Sequence, residues 1–223
     1  MSRVSVIALA VAVLGAPCVA EAAGTASPDV PRVSYDVQLD TITSGFDKET
    51  CWVHPRAGAI PGEPPIVVLT MQKLLLSGSD VFYALNEMRT EDLGKTWAGP
   101  TEHETLGRRN VEDGIVAVVC DFTPKWHAKT GRLLGTGHSA LYRDNKLIEV
   151  RKRFTAYSVY DPDQRSWAPW KSMVMPDVPK FFNAGAGCTQ RVDLPNGDIL
   201  LPIYFKAEGE TQNAAAVARC SFD

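Results

Sequence analysis

Apolar positions along this chain alternate with polar ones or gather in short runs, and after the first two dozen residues a sustained helical period is scarce. The stretches 66–71 (IVVLTM), 81–88 (VFYALNEM), 155–160 (TAYSVY) and 199–205 (ILLPIYF) are rich in β-branched and aromatic residues. Glycine, proline and an Asn-Gly pair punctuate them, as expected of strands joined by turns. The pattern predicts an all-β chain.

The strands repeat. Three hairpins, 56–72 (RAGAIPGEPPIVVLTMQ), 126–138 (WHAKTGRLLGTGH) and 191–205 (RVDLPNGDILLPIYF), each read strand, turn glycine, apolar strand. Their glycines, at 62, 131 and 197, stand 69 and 66 residues apart. A further strand follows each hairpin and runs into an acid-terminated turn: ALNEMRTED to Asp92, TAYSVYDPD to Asp163 and AAVARCSFD to Asp223. Two hairpins in every 60–70 residues or so match a four-stranded propeller blade. We therefore expect a β-propeller of antiparallel blades near 51–105, 110–175 and 180–223, the last incomplete, after a lead-in over 23–50. Propellers close with about four to eight blades, so the pattern predicts the N-terminal part of a longer protein.

One corner carries more information. In RTEDLGKTW (89–97), Asp92 can accept backbone hydrogen bonds and Gly94 can take a positive φ, before Trp97 returns to the fold as an apolar anchor. The second copy, DPDQRSW, lacks the glycine and reaches Trp167 one residue early. Thr90, Asp92, Gly94, Thr96 and Trp97 match the pattern Ser/Thr-x-Asp-x-Gly-x-Thr-Trp. This segment resembles the Asp-box, or BNR, repeat of the sialidase superfamily, and the resemblance extends over roughly residues 51–223. It implies a six-bladed propeller in the full protein, with the box itself structural. Asp-boxes also occur in propellers without activity, and fold alone does not assign function.

The site residues follow from connectivity and from the resemblance. If the innermost strand of the first blade begins near Arg56, its start and the exit of the returning strand near Asp80 share one rim, opposite the Asp92 turn. Sialidases place a carboxylate-binding arginine at such a strand start, near an RIP motif. Here HPRAGAIPG supplies Arg56, with Ile60-Pro61 arriving late. Their acid/base aspartate comes shortly after, where Asp80 stands 24 residues beyond Arg56. The chemistry suits these types. A planar guanidinium grips the carboxylate on the anomeric carbon of sialic acid bidentately, and that anion explains a tyrosine nucleophile in place of a carboxylate. An aspartic acid protonates the departing oxygen and later activates water. The resemblance thus implies a retaining exo-α-sialidase, with Asp80 as acid/base and Arg56 as clamp. The nucleophile and remaining arginines would lie in later blades, so this stretch alone should be inactive. A propeller glycosidase of other specificity, or a non-catalytic glycan- or protein-binding propeller, are the alternatives.

The same path puts Glu112, Asp113, His138, Lys206 and Glu208 at the rim, with Asp113 and His138 taken as substrate-binding. Trp126, Trp167 and Trp170 are expected to pack between blades. The charge-rich stretch 143–153 (RDNKLIEVRKR) could attract an anionic sugar. The net charge of −3 offers no footprint for nucleic acid, so sialylated or other acidic glycans are the expected partners. No cofactor is called for.

The N-terminus reads as an export signal over 1–22: a basic start at Arg3, an apolar run over 4–14, and Ala20-Glu-Ala22 as a small-residue cleavage site. The run is short for a membrane span, and the expected destination is periplasmic or extracellular. Beyond it lie Cys51, Cys120, Cys188 and Cys220. An even number permits two disulfides, but their wide spacing favours small buried residues beside strands. That spacing also lacks the CxxC clustering of a zinc site, and no metal is expected.

Overall fold

The computed structural model describes residues 4–7 and 34–222, apart from Ser79, Asp113, Val150, Arg151 and Val178. After a short strand β1 (Val4–Ile7) the chain builds three antiparallel sheets in succession. The first contains β2 (Thr50–Ile60), β3 (Ile66–Leu76), β4 (Asp80–Thr90) and β5 (Ala98–Glu102), paired in chain order. The second contains β6 (Arg109–Glu112), β7 (Ile115–His127), β8 (Arg132–Arg143), β9 (Lys146–Leu147), β10 (Thr155–Asp161), β11 (Ser166–Trp167) and β12 (Lys171–Ser172). In the third, β13 (Asn183–Gly185) and β14 (Val192–Asp193) both pair β15 (Ile199–Lys206), which pairs β16 (Ala214–Cys220). The all-β reading holds. The three turn glycines fall in the expected hairpins, and Gly131 and Gly197 have φ of 63° and 92°.

β1 lies antiparallel beside β16, Val4 facing Cys220. The rest of the expected signal segment lies outside the described residues. Among the described residues no helix is long and apolar enough to cross a membrane.

Alternation along the strands decides which sheet packs on which. On β8, Leu133 joins Ile60, Val68, Leu85 and Phe122 in a core between the first two sheets, while Leu134 joins Leu201 and Ile203 toward the third. Trp167 and Trp170 are buried in the first of these cores and Trp126 packs against it, as expected of packing residues. A buried carboxylate ties the same two sheets together. Glu87 accepts hydrogen bonds from Tyr160 Oη (2.8 Å), Trp167 Nε1 (3.1 Å) and His103 Nε2 (2.9 Å).

The 90–97 corner closes as its residue types require. Thr96 donates its amide to Asp92 Oδ1 and its hydroxyl to Asp92 Oδ2, at 2.9 and 2.6 Å. The Gly94 amide donates to Thr90 Oγ1 at 2.9 Å, and Trp97 Nε1 donates to the Gly94 carbonyl at 3.2 Å. The second copy differs. There the closing acid is Asp161, which accepts from the amides of Asp163 and Gln164, because no glycine is available to build the longer circuit. The third acid, Asp223, lies outside the described residues.

The Thr96 hydroxyl and amide hold the Asp92 carboxylate down at a pKa of about 2. A carboxylate lowered in the folded state stabilises it above the ordinary aspartate range and loses that contribution as pH falls through the folded value. The Thr96 amide resonance should therefore titrate with a midpoint near 2 in an NMR pH series. A midpoint near the ordinary value of about 4 would mean that the circuit is not formed in solution.

Candidate functional site

Three departures from regular strand geometry build the site. The β2–β3 register shifts between Val53 and Arg56, and the β7–β8 register shifts between Cys120 and Thr123. In the third sheet the inner strand is broken between β13 and β14. At each break one non-glycine residue takes a left-handed backbone: His54 (φ 55°), Asp121 (φ 52°) and Cys188 (φ 56°). Such conformations cost on the order of 1–3 kcal/mol each and gather at functional sites. The three residues are spaced 67 and 67 apart, one per sheet.

Their side chains converge. Asp121 Oδ1 lies 3.2 Å from His54 Nδ1 and accepts the Cys188 thiol at 3.0 Å. Arg56 Nη2 donates to the same oxygen at 3.4 Å and to Cys188 Sγ at 3.4 Å. On the other side, His138 Nε2 stands 3.8 Å from Asp121 Oδ2, while its Nδ1 is 3.4 Å from Tyr204 Oη. Arg153 donates to that phenol oxygen and lies over the ring. The carboxylate at the centre is 11% exposed, whereas Arg56 is 27% exposed. Burial pushes the Cys120 thiol well up, and burial followed by the hydrogen bond to Asp121 raises that of Cys188. All four cysteines among the described residues are free thiols.

Close approach at this centre depends on glycine. A Cβ on Gly187 would fall 1.8 Å from His138 Nδ1, and one on Gly185 would lie 2.8 Å from Arg153 Cδ. A cavity of about 160 Å³ is lined by Ala57, Thr123, Gln190 and Arg191, among others, each near a cluster residue in the sequence.

The expected residues meet this geometry unequally. Arg56 and His138 are brought together at Asp121. Arg56 does not open its strand, however. β2 begins at Thr50, because the left-handed His54 ahead of Pro55 makes a bulge rather than a strand start, and Arg56 pairs Thr70 in mid-strand. Asp80 opens β4 at the end opposite the Asp-box: Leu76 faces Asp80 while Val67 faces Thr90. It is exposed, its carbonyl accepts from Tyr142 Oη at 2.7 Å, and its charge helps raise the Cys120 thiol. Among the described residues no hydrogen bond or ion pair joins Arg56 to Asp80. Asp113 lies outside the described residues, and Glu112 and Glu208 are exposed.

Asp121, His54 and Cys188 escaped sequence reasoning. The signal that could have found them is their equal spacing, since a repeat measured on turn glycines drifts with loop length while one measured on the strand bulges does not. No family model and no curated protein matches this chain, so the Asp-box resemblance rests on the residues that carry it.

Proposed function

We propose that this chain forms part of a sialidase-like β-propeller that removes a terminal acidic sugar from glycans outside the cell, with retention of configuration. The observation that carries the reading is the setting of Arg56. One nitrogen of its guanidinium is held by Asp121 and Cys188, while the side chain remains partly open to solvent. A guanidinium anchored along one edge presents its other donors to an incoming carboxylate in the planar geometry that lysine lacks. The complete Asp-box circuit and the succession of antiparallel sheets support the propeller architecture.

In this reading Asp121 positions Arg56, His138 lines the same pocket, and Asp80 at the rim protonates the departing oxygen and then activates water. The tyrosine nucleophile and the remaining arginines belong to blades beyond these residues.

A fluorogenic sialoside assay on the full-length protein tests it. Turnover is expected, and Arg56→Lys should raise KM at least tenfold with a smaller change in kcat, because the clamp acts on the bound acid in ground and transition states alike. Binding without turnover would instead make this a glycan-binding propeller, and release of neutral sugars alone would make it a glycosidase of other specificity.

A further inference from the structure

The cluster around Asp121 has a chemistry that acidic-sugar binding leaves unused. Cys120, Asp121 and His138 are all buried, and each offers one ligand atom, all within 4.8 Å of one another. We propose that Cys120, Asp121 and His138 form a three-residue site for a single divalent transition-metal ion of the zinc class, with its fourth position left to solvent.

Successive side chains on a strand normally point to opposite faces, so Cys120 and Asp121 should diverge. The bulge with its left-handed Asp121 turns both toward His138, which faces Cys120 across the β7–β8 pair. A fold that maintains this conformation at a buried acid–thiol pair gains a chelating geometry that a regular strand cannot offer. Nitrogen, oxygen and sulfur donors together suit zinc, a borderline-soft ion that takes four ligands in tetrahedral arrangement.

Two ligand atoms of one tetrahedral zinc ion lie about 3.3 Å apart. The three donor atoms lie within 4.8 Å of one another, and the 3.8 Å from His138 Nε2 to Asp121 Oδ2 is long for a hydrogen bond, so binding would draw the donors together around the ion. His54 Nδ1, 3.2 Å from the other carboxylate oxygen, stays outside the ligand set.

The surroundings match an outer shell. Metal-bound histidines hydrogen-bond through the second nitrogen, and His138 Nδ1 faces Tyr204 Oη at 3.4 Å. Arg56 and Cys188 contact the carboxylate from outside, where they would balance and orient it. The ligands come from two paired strands, and Cys120, Asp121 and His138 lack the CxxC or HxxxH spacing of zinc motifs, so a motif search passes over them.

The site does not depend on the sialidase reading, and its test reads metal directly. Chelator-stripped full-length protein is titrated with Co²⁺ and followed by absorbance. The expected result is one equivalent bound, with a thiolate-to-cobalt charge-transfer band that Zn²⁺ abolishes. Cys120→Ser should remove the band, Cys188→Ser should keep it, and His138→Gln should weaken binding by more than the roughly 10–100-fold that loss of an outer-shell partner costs. If Cys120→Ser does not fold, His138→Gln, checked for folding by circular dichroism, decides the matter. Stripped wild-type protein that takes up no Co²⁺, a band that survives Cys120→Ser or vanishes in Cys188→Ser, or unchanged affinity in His138→Gln would overturn the proposal.

Discussion

Replacing Glu87 by alanine should destabilise the protein by about 3–5 kcal/mol, a large share of the roughly 5–15 kcal/mol that holds an ordinary domain together. Glu87 is only 6% exposed, and it is the shared acceptor of a phenol, an indole and an imidazole. Three donors left unsatisfied in a core of Leu85, Phe122 and Trp167 have no water to turn to. The phenol also takes a hydrogen bond from Arg89 Nη1 at 2.9 Å, so the loss spreads into a network that spans both sheets. Burial, followed by the Glu87 charge, pushes the Tyr160 phenol up to about 12, which keeps it a donor at every physiological pH. Glu87→Gln keeps one acceptor but turns an amide toward the remaining donors, and should fall between wild type and alanine. Urea unfolding monitored by tryptophan fluorescence checks the series. A shift of less than about 1 kcal/mol in Glu87→Ala would mean that apolar packing alone joins the first two sheets.

Much of this architecture was legible in the sequence because alternation and turn chemistry are local. The hairpins around Gly62, Gly131 and Gly197 needed no tertiary information, and neither did the Asp92 corner. The burial of Trp167 and Trp170 followed from their size. What was not legible depends on backbone breaks. Asp and His are among the residue types that tolerate a left-handed φ, but nothing in the immediate neighbours of His54, Asp121 and Cys188 announces one. Arg56 was read as a strand start from the resemblance, whereas the strand begins earlier and continues through a bulge ahead of Arg56. The second acid turn was misassigned from Asp161 to Asp163 for another reason. Hydrogen-bond closure there depends on turn length, and a missing glycine shortened it.

The bulges also explain how residues far apart in the chain share one carboxylate. A regular inner strand would send alternate side chains into the neighbouring sheets, where they meet other apolar side chains. Breaking each inner strand near the same level frees one side chain per sheet to point along the common interface. The strain at three positions is offset by the packing of the flanking sheets. Asp121 is therefore both the centre of the polar cluster and the partner that holds Arg56.

Turnover of a sialoside should fall by about 10²–10⁴-fold in Asp80→Ala of the full-length protein, the range expected for loss of a general acid/base. The substitution isolates chemistry from folding. Asp80 is exposed, and its structural contribution is a backbone carbonyl bonded to Tyr142 Oη, which alanine retains. The melting temperature should therefore stay within a degree or two of wild type, while KM should change little, because the proposed carboxylate clamp is Arg56. Asp80→Asn should match alanine, since an amide can neither give up nor take back the proton. The competing acid is Asp121, buried against two imidazoles and a guanidinium. Asp121 is held among neighbours that it orients, whereas Asp80 stands exposed at the start of β4. Near-wild-type turnover in Asp80→Ala, together with an inactive but folded Asp121→Asn, would transfer the acid/base role from the rim to the centre of the cluster.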